Sequence, residues 1–146
     1  MKTIAIDFDG VIHAYSKGWQ DGSCYDVPIT GVFEAIDNLF ATGYNVFILS
    51  TRNSRQIKRW IKEHAYDSDY TYNGMGGDPD DFRYPKYSFT VEVIPFWKKF
   101  WNKKNVLGIT RRKLPAHCYV DDRAVRFDGN WETAQNNIQF FRTWQQ

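Results

Sequence analysis

A chain of 146 residues, 42% hydrophobic and 18% aromatic, can bury one core and is short for two, so a single domain over residues 1–146 is expected. A formal net charge of +2 is too small to demand a nucleic-acid or membrane partner. No apolar run reaches the ~18 residues of a membrane span and no basic segment leads into an apolar signal core, which points to a soluble, cytoplasmic protein.

The N-terminal run Met1-Lys-Thr-Ile-Ala-Ile-Asp7-Phe-Asp9-Gly10-Val-Ile-His13 is the clearest pointer to chemistry. Thr3 to Ile6 is short, continuously apolar and rich in β-branched residues, as a strand buried on both faces of a parallel sheet should be. Asp7 then stands at its carboxyl end, where open α/β sheets bind ligands. Side chains alternate along a strand, so Asp7 and Asp9 are expected on one side. Two converging carboxylates repel unless a cation or a shared proton relieves them. Magnesium is the simplest relief, since it takes hard oxygen ligands and bridges to phosphate. The plainer reading is a turn made by Asp7 and Asp9 before Gly10.

Residues 11–29 hold no sustained period and carry Gly18, Gly22 and Pro28, so a loop is expected, placed to fold over the carboxylates with Tyr15, Lys17 or Trp19 against a ligand. His13 is read as packed for structural reasons. From Thr30 the spacing of Val32, Ala35, Ile36, Leu39 and Phe40 predicts a helix, ended by Gly43. Tyr44 to Leu49 is a second strand, and it delivers Ser50, Thr51 and Arg52 to its carboxyl end. Hydroxyls ahead of a helix N-terminus suit a phosphate oxygen, although a helix cap would use the same residues. The next helix is expected from Ser54, with Ile57, Trp60 and Ile61 facing the core.

Residues 66–86 are the least regular, with an acidic turn at Asp78-Pro-Asp-Asp81. Tyr87, Phe89, Val91 and Val93 alternate with polar residues as in a half-exposed strand. Pro95 suits a helix start, and Phe96, Trp97, Phe100 and Trp101 form a stripe expected to be mostly core. Between Lys98 and Lys113 there are seven Lys or Arg and no Asp or Glu, so the same stretch also fits a nucleic-acid surface. Val106 to Ile109 is a third short strand, followed by Thr110-Arg-Arg-Lys113. His117 to Val120 is a fourth, ending in Asp121-Asp122-Arg123. Asn130 caps a last helix with Trp131, Ala134, Ile138, Phe141 and Trp144 on one face. The two cysteines, Cys24 and Cys118, have no CxxC spacing, and Cys118 is read as a small buried apolar residue. Strands alternating with helices indicate a parallel α/β sheet.

Four fragments now stand in order at strand ends: Asp7-Phe-Asp9-Gly10, Ser50-Thr51-Arg52, Lys113 and Asp121-Asp122. Together they resemble the haloacid dehalogenase (HAD) superfamily of phosphohydrolases. The longer runs Asp7 to His13 and Val120 to Phe127 are similar to small HAD proteins of bacteria and phages, and Ser50-Thr-Arg52 with Asp121-Asp-Arg is similar to the 3′-phosphatase domain of polynucleotide kinases. No kinase P-loop is present.

The resemblance implies a HAD-type Rossmann-like parallel sheet sandwiched by helices, and a magnesium-dependent phosphomonoester hydrolase working through an aspartyl phosphate on a nucleotide or other small phosphate ester. It implies Asp7 as nucleophile and Asp9 as general acid and base, for which a raised Asp9 pKa is expected. Ser50, or Thr51 in its place, would hold a phosphoryl oxygen beside Gly10, and Arg52 would fork onto phosphate. Lys113, with Arg111 or Arg112 as competitors, would neutralise charge. Magnesium would bind through Asp7, the Asp9 main-chain carbonyl and Asp122, with Asp121 direct or one shell out. The basic aromatic segment favours an alternative, a 3′-phosphatase of DNA or RNA ends. A non-catalytic nucleic-acid-binding or regulatory protein on the same fold is the reading from another class. The resemblance leaves out residues 66–105, about forty more than a minimal HAD needs, which are expected to form a small cap, extend the sheet or make an interface.

Overall fold

The computed structural model describes residues 2–68 and 83–146. The elements in chain order are β1 (Thr3–Ile6), α1 (Val32–Ala41), β2 (Asn45–Leu49), α2 (Ser54–Ala65), β3 (Tyr66–Ser68), β4 (Arg83–Pro85), β5 (Thr90–Val93), β6 (Val106–Thr110), β7 (Cys118–Val120) and α3 (Trp131–Gln139). Five strands pair, all parallel, in the order β5-β6-β2-β1-β7. β3 and β4 form a separate antiparallel pair. This is the α/β class expected. The acidic turn at Asp78–Asp81 lies outside the described residues, and so does part of the expected cap. Of the remaining inserted residues, β5 extends the sheet as its edge strand.

The apolar runs of β1 and β2 reflect burial on both faces. Ile4, Ile6, Val46 and Ile48 turn to one side, where they meet Phe33, Ile36 and Phe40 of α1 and Ile57, Trp60 and Ile61 of α2. Ala5 and Phe47 turn to the other, against Ile94, Trp101 and Leu114. Each helix starts and stops for a local reason. The Asn53 side chain accepts from the Arg55 and Gln56 N–H groups at the start of α2. After α1, Gly43 takes a φ of 95° and its N–H donates to the Phe40 carbonyl.

The second face is closed without a helix. The helix expected from Pro95 does not form; residues 94–105 run irregularly through two turns, one closed by the Lys98 N–H donating to the Pro95 carbonyl and one by the Val106 N–H donating to the Lys103 carbonyl. Tertiary contact outweighs the aromatic period here. Trp101 is drawn onto the sheet, 1% exposed, and its Nε1 donates to the Val106 carbonyl at 3.0 Å. Phe96, Trp97 and Phe100 find no facing element and stay 86%, 63% and 53% exposed, against the expectation of a core stripe. Trp101 can lie so close only because residue 108 is glycine: a Cβ there would come within 2.7 Å of both Ile94 Cδ1 and Trp101 Cε2. Gly108→Ala should therefore cost about 1–3 kcal/mol by overpacking. An unchanged denaturation midpoint would show that Trp101 can withdraw freely.

Two other expectations are corrected at the far edge. Cys118 is exposed, not buried, because β7 is the other edge strand and all three of its residues are exposed. α3 is capped by Asn130 as expected, but it buries only Ala134, while Trp131 and Ile138 are exposed. Phe141 and Trp144 lie beyond its end. Among the described residues no helix is long and apolar enough to cross a membrane.

Candidate active site

Strand register assembles the site. Ile6 pairs with Ile48 on one side and Val120 on the other, so the residues that follow, Asp7 and Asp121, emerge side by side. The Asp7 N–H donates to the Val120 carbonyl at 2.9 Å and extends the ladder one step. Phe8 turns into the core, fully buried, while Asp7 and Asp9 on either side of it line one cavity. The chain then curls back, since the Val11, Ile12 and His13 N–H groups all donate to the Phe8 carbonyl. Gly10 makes that curl possible with a φ of 81°.

Carboxylate oxygens of Asp7, Asp121 and Asp122 lie within 4.8 Å of one another. Asp122 Oδ1 is buried without a hydrogen-bond partner, which is costly for a carboxylate. A divalent cation with a taste for hard oxygen ligands fits such a donor set. Gly10 also leaves room for Asp122: a Cβ on it would sit 2.2 Å from Asp122 Oδ2. Gly10→Ala should destabilise the protein by about 1–3 kcal/mol through backbone strain and displace Asp122. Thermal unfolding checks this, and a variant as stable as the parent would show that the approach is not tight.

Asp9 has a different environment. His13 is fully buried and its Nε2 accepts from the Asp26 N–H at 2.9 Å, so the ring proton is on Nδ1, which donates to Asp9 Oδ1 at 2.8 Å. This is the structural role expected of His13, now with a partner. Arg52 Nε lies 2.7 and 3.0 Å from the two Asp9 oxygens, and its Nη1 donates to the Gly22 carbonyl at 2.6 Å. Gln56 reaches the same carbonyl, and Trp60 Nε1 donates to the Asp26 carbonyl. These bonds fold loop 11–29 against α2 and fix Asp9 between two donors.

The two aspartates are thus driven apart electrically. Burial pushes Asp7 up to about 7; the Phe8 N–H opposes this, and the charges of Asp121, Asp122 and Asp9 add to it. Burial also pushes Asp9 upward, but the hydrogen bonds from His13 and Arg52 together hold it below the usual carboxylate range. The expected upward shift falls on Asp7, not on Asp9. The reason is the pair of donors, 4 and 43 residues away in the chain.

The cavity, of about 430 Å³, is lined by Asp7, Asp9, Ser50, Thr51, Asp121 and Arg123 among its polar groups, and by Tyr15 and Tyr119. Ser50 and Thr51 are free of helix-capping duty, because Asn53 performs it. Ser50 is buried and its Oγ accepts from the Arg52 N–H; Thr51 is exposed. Of the loop residues, Tyr15 reaches the cavity and Trp19 a smaller groove beside Asp9, whereas Lys17 lines neither. Lys113 does not line the cavity either. It is exposed, with Nζ 4.9 Å from the centre of the Tyr119 ring. Arg112 is committed to the Pro95 carbonyl.

Sequence reasoning missed three neighbours. Tyr119 carried no signal, and Arg123 had only its place after the paired aspartates. Trp144, assigned to a helix face, instead donates from Nε1 to the Gly10 carbonyl at 2.8 Å and borders a second cavity with Asp121 and Asp122.

Fold and site define a parallel α/β protein with an acidic group at the carboxyl edge of its sheet. Comparison with protein-family models, curated proteins and solved structures finds no match to this chain.

Proposed function

We propose that this chain is a HAD-type, magnesium-dependent phosphomonoester hydrolase acting on a nucleotide or another small phosphate ester. The observation that carries the reading is the meeting of Asp7 and Asp9 in one cavity, in opposite electrostatic environments, with Asp121 and Asp122 beside Asp7. Carboxylates whose surroundings separate them are the usual sign of divided roles. A cavity of about 430 Å³ is also within the size range of small-molecule sites.

Asp7 attacks phosphorus; its Oδ–P bond forms as the ester P–O bond breaks, and the leaving oxygen takes a proton from the Asp9 side. Water then attacks phosphorus and gives a proton to the Asp9 carboxylate, while the Asp7 Oδ–P bond breaks to release inorganic phosphate and restore the Asp7 carboxylate. Asp7, Asp121 and Asp122, with the Asp9 main-chain carbonyl, would hold magnesium, which when bound would supply positive charge that favours the ionised form of Asp7 and the approach of a dianion. Ser50 and Thr51 offer hydroxyls to the phosphoryl oxygens, with Arg123 a further cation on the lining. Lys113, beside the Tyr119 ring, neutralises charge from the cavity rim.

Arg52 has a double duty in this scheme. At rest it holds Asp9 as a carboxylate, and an incoming phosphate dianion competes for the same guanidinium. When Arg52 turns to phosphate, Asp9 loses a charge partner but not its burial, and its proton affinity rises when an acid is needed.

The test is phosphate release from an aryl phosphate, then from nucleoside monophosphates, with magnesium and with chelator. Magnesium-dependent turnover is expected. No release from either class, by a protein shown to be folded, would count against the reading.

A further inference from the structure

Every strand of the five-stranded sheet is parallel, so whatever follows each strand lies along one edge. Asp7 follows β1, Ser50 follows β2, Arg111 to Lys113 follow β6, and Ile94 to Trp97 follow β5. β5 is three strands from β1, about 14 Å at the ~4.8 Å spacing of neighbouring strands. Phe96, Trp97, Lys99, Arg112 and Lys113 line one groove there. Its link to the acidic cavity is Lys113, whose Nζ lies over the Tyr119 ring, which lines that cavity.

The chemistry of this groove is unusual for a solvated face. Its two rings are 86% and 63% exposed, and Lys98 sits within 6 Å of the Trp97 and Phe100 ring centres, at 5.8 and 5.9 Å. Residues 93–120 contain no Asp or Glu, so the groove has no acidic group from its own segments. Lys103 is the exception among the nearby cations, being paired with Glu92. Exposed rings interleaved with cations that have no ion-pair partner among the described residues complement a polyanion that carries flat, unpaired bases.

We propose that the surface of Phe96, Trp97, Lys98, Lys99, Arg112 and Lys113 binds single-stranded nucleic acid and leads a terminal phosphate along the sheet edge into the acidic cavity. The binding part stands alone; the strand-end substrate rests on the phosphatase reading. The bases stack on Phe96 and Trp97, and the backbone follows the lysines. Lys113 is the last cation before the cavity.

The full chain, without magnesium, is titrated against a fluorescein-labelled 20-nucleotide oligothymidylate with hydroxyl ends, at several salt concentrations. Binding should be on the order of micromolar at low salt and should weaken steeply as salt rises. Trp97→Ala should weaken it about tenfold, the scale of one base–ring stack. The double substitution Lys98→Glu, Lys99→Glu should do so too and flatten the salt dependence. Trp97 and Lys99 are exposed and Lys98 half-buried at the surface, so both variants should keep the parent's melting temperature and its aryl phosphate turnover. With a 3′- or 5′-phosphorylated oligonucleotide, they should raise KM and leave kcat. No saturable binding, affinity unchanged in both variants, or binding to phosphatidylglycerol vesicles in preference to the oligonucleotide would overturn the surface. Oligonucleotide binding without any phosphate release would support the surface and tell against the phosphatase. Aryl phosphate turnover with no release from either oligonucleotide would overturn the strand-end substrate.

Discussion

Asp7→Asn should abolish magnesium-dependent phosphate release, by roughly 10⁴-fold or more as for the loss of a covalent nucleophile, and should at the same time stabilise the metal-free protein at pH 8. Asparagine keeps the shape of Asp7 but cannot carry its charge. The wild-type carboxyl is raised from 3.8 to about 7 in the fold, so the folded protein binds its proton more tightly than the unfolded chain does. That contribution is complete below the unfolded pKa and is lost as pH rises through about 7. At pH 8 the charge is present beside Asp121 and Asp122, and it opposes folding. The melting temperatures of parent and variant, without metal, should therefore separate most at pH 8 and draw together as pH falls through about 7 toward the unfolded value of 3.8. Equal values throughout would show that Asp7 carries no such strain.

Magnesium should act in the opposite sense, because it needs the ionised carboxyl that the proton occupies. Affinity should be about tenfold weaker at pH 6 than at pH 8 if Asp7 is the group that competes. Asp7→Asn should bind more weakly and lose the pH dependence. Turnover surviving in the variant, with contamination excluded, would falsify the nucleophile assignment.

Asp9→Asn should lose turnover by about 10²–10⁴-fold, the range for a general acid, yet it should lose stability where Asp7→Asn gains it. Asp9 accepts from His13 Nδ1 and from Arg52 Nε, both fixed donors. An amide offers one oxygen to this pair and turns an N–H toward the other member. The Arg52 side chain is only 10% exposed, so it would be left with a weakened partner in a poorly solvated place. Losing one member of a fully buried pair costs about 3–5 kcal/mol, and with Asp9 25% exposed roughly 2–3 kcal/mol is expected. The sign with pH is also reversed. The folded pKa of Asp9 is depressed, so its contribution is present above the unfolded value of 3.8 and fades as pH falls below it. Urea midpoints of both variants at pH 8 should move in opposite directions. A common direction would mean that the two carboxylates do not differ as their surroundings indicate.

Much of the frame was legible because it is written in short-range pattern. A continuous apolar run has one stable use in a parallel sheet, which is why Thr3 to Ile6 and Tyr44 to Leu49 read as strands, the second one residue longer than the observed Asn45–Leu49, and why Asp7 and Ser50 fell at their ends. Helical spacing found α1 and α2, and Asn130 found the start of α3. The paired carboxylates after β7 were visible for the same reason as those after β1.

What the sequence left open were the contacts that chain separation hides. Which residue caps α2 depended on where the backbone turned, and Asn53 took the duty, leaving Ser50 and Thr51 at the cavity. Arg52 was read as a phosphate ligand, and nothing in the sequence showed that it also bonds to Asp9, 43 residues away. Trp144 reaches Gly10 across 134 residues. Phe96, Trp97 and Phe100 look like core in any window, as does Trp101, and only Trp101 meets a facing sheet with a glycine to receive it. Periodicity determines which side of an element is apolar, since it follows from local backbone geometry. Whether another element covers that side, and whether a carboxylate faces a cation or a second carboxylate, was decided by the tertiary structure, because burial and charge depend on neighbours that only the closed fold supplies.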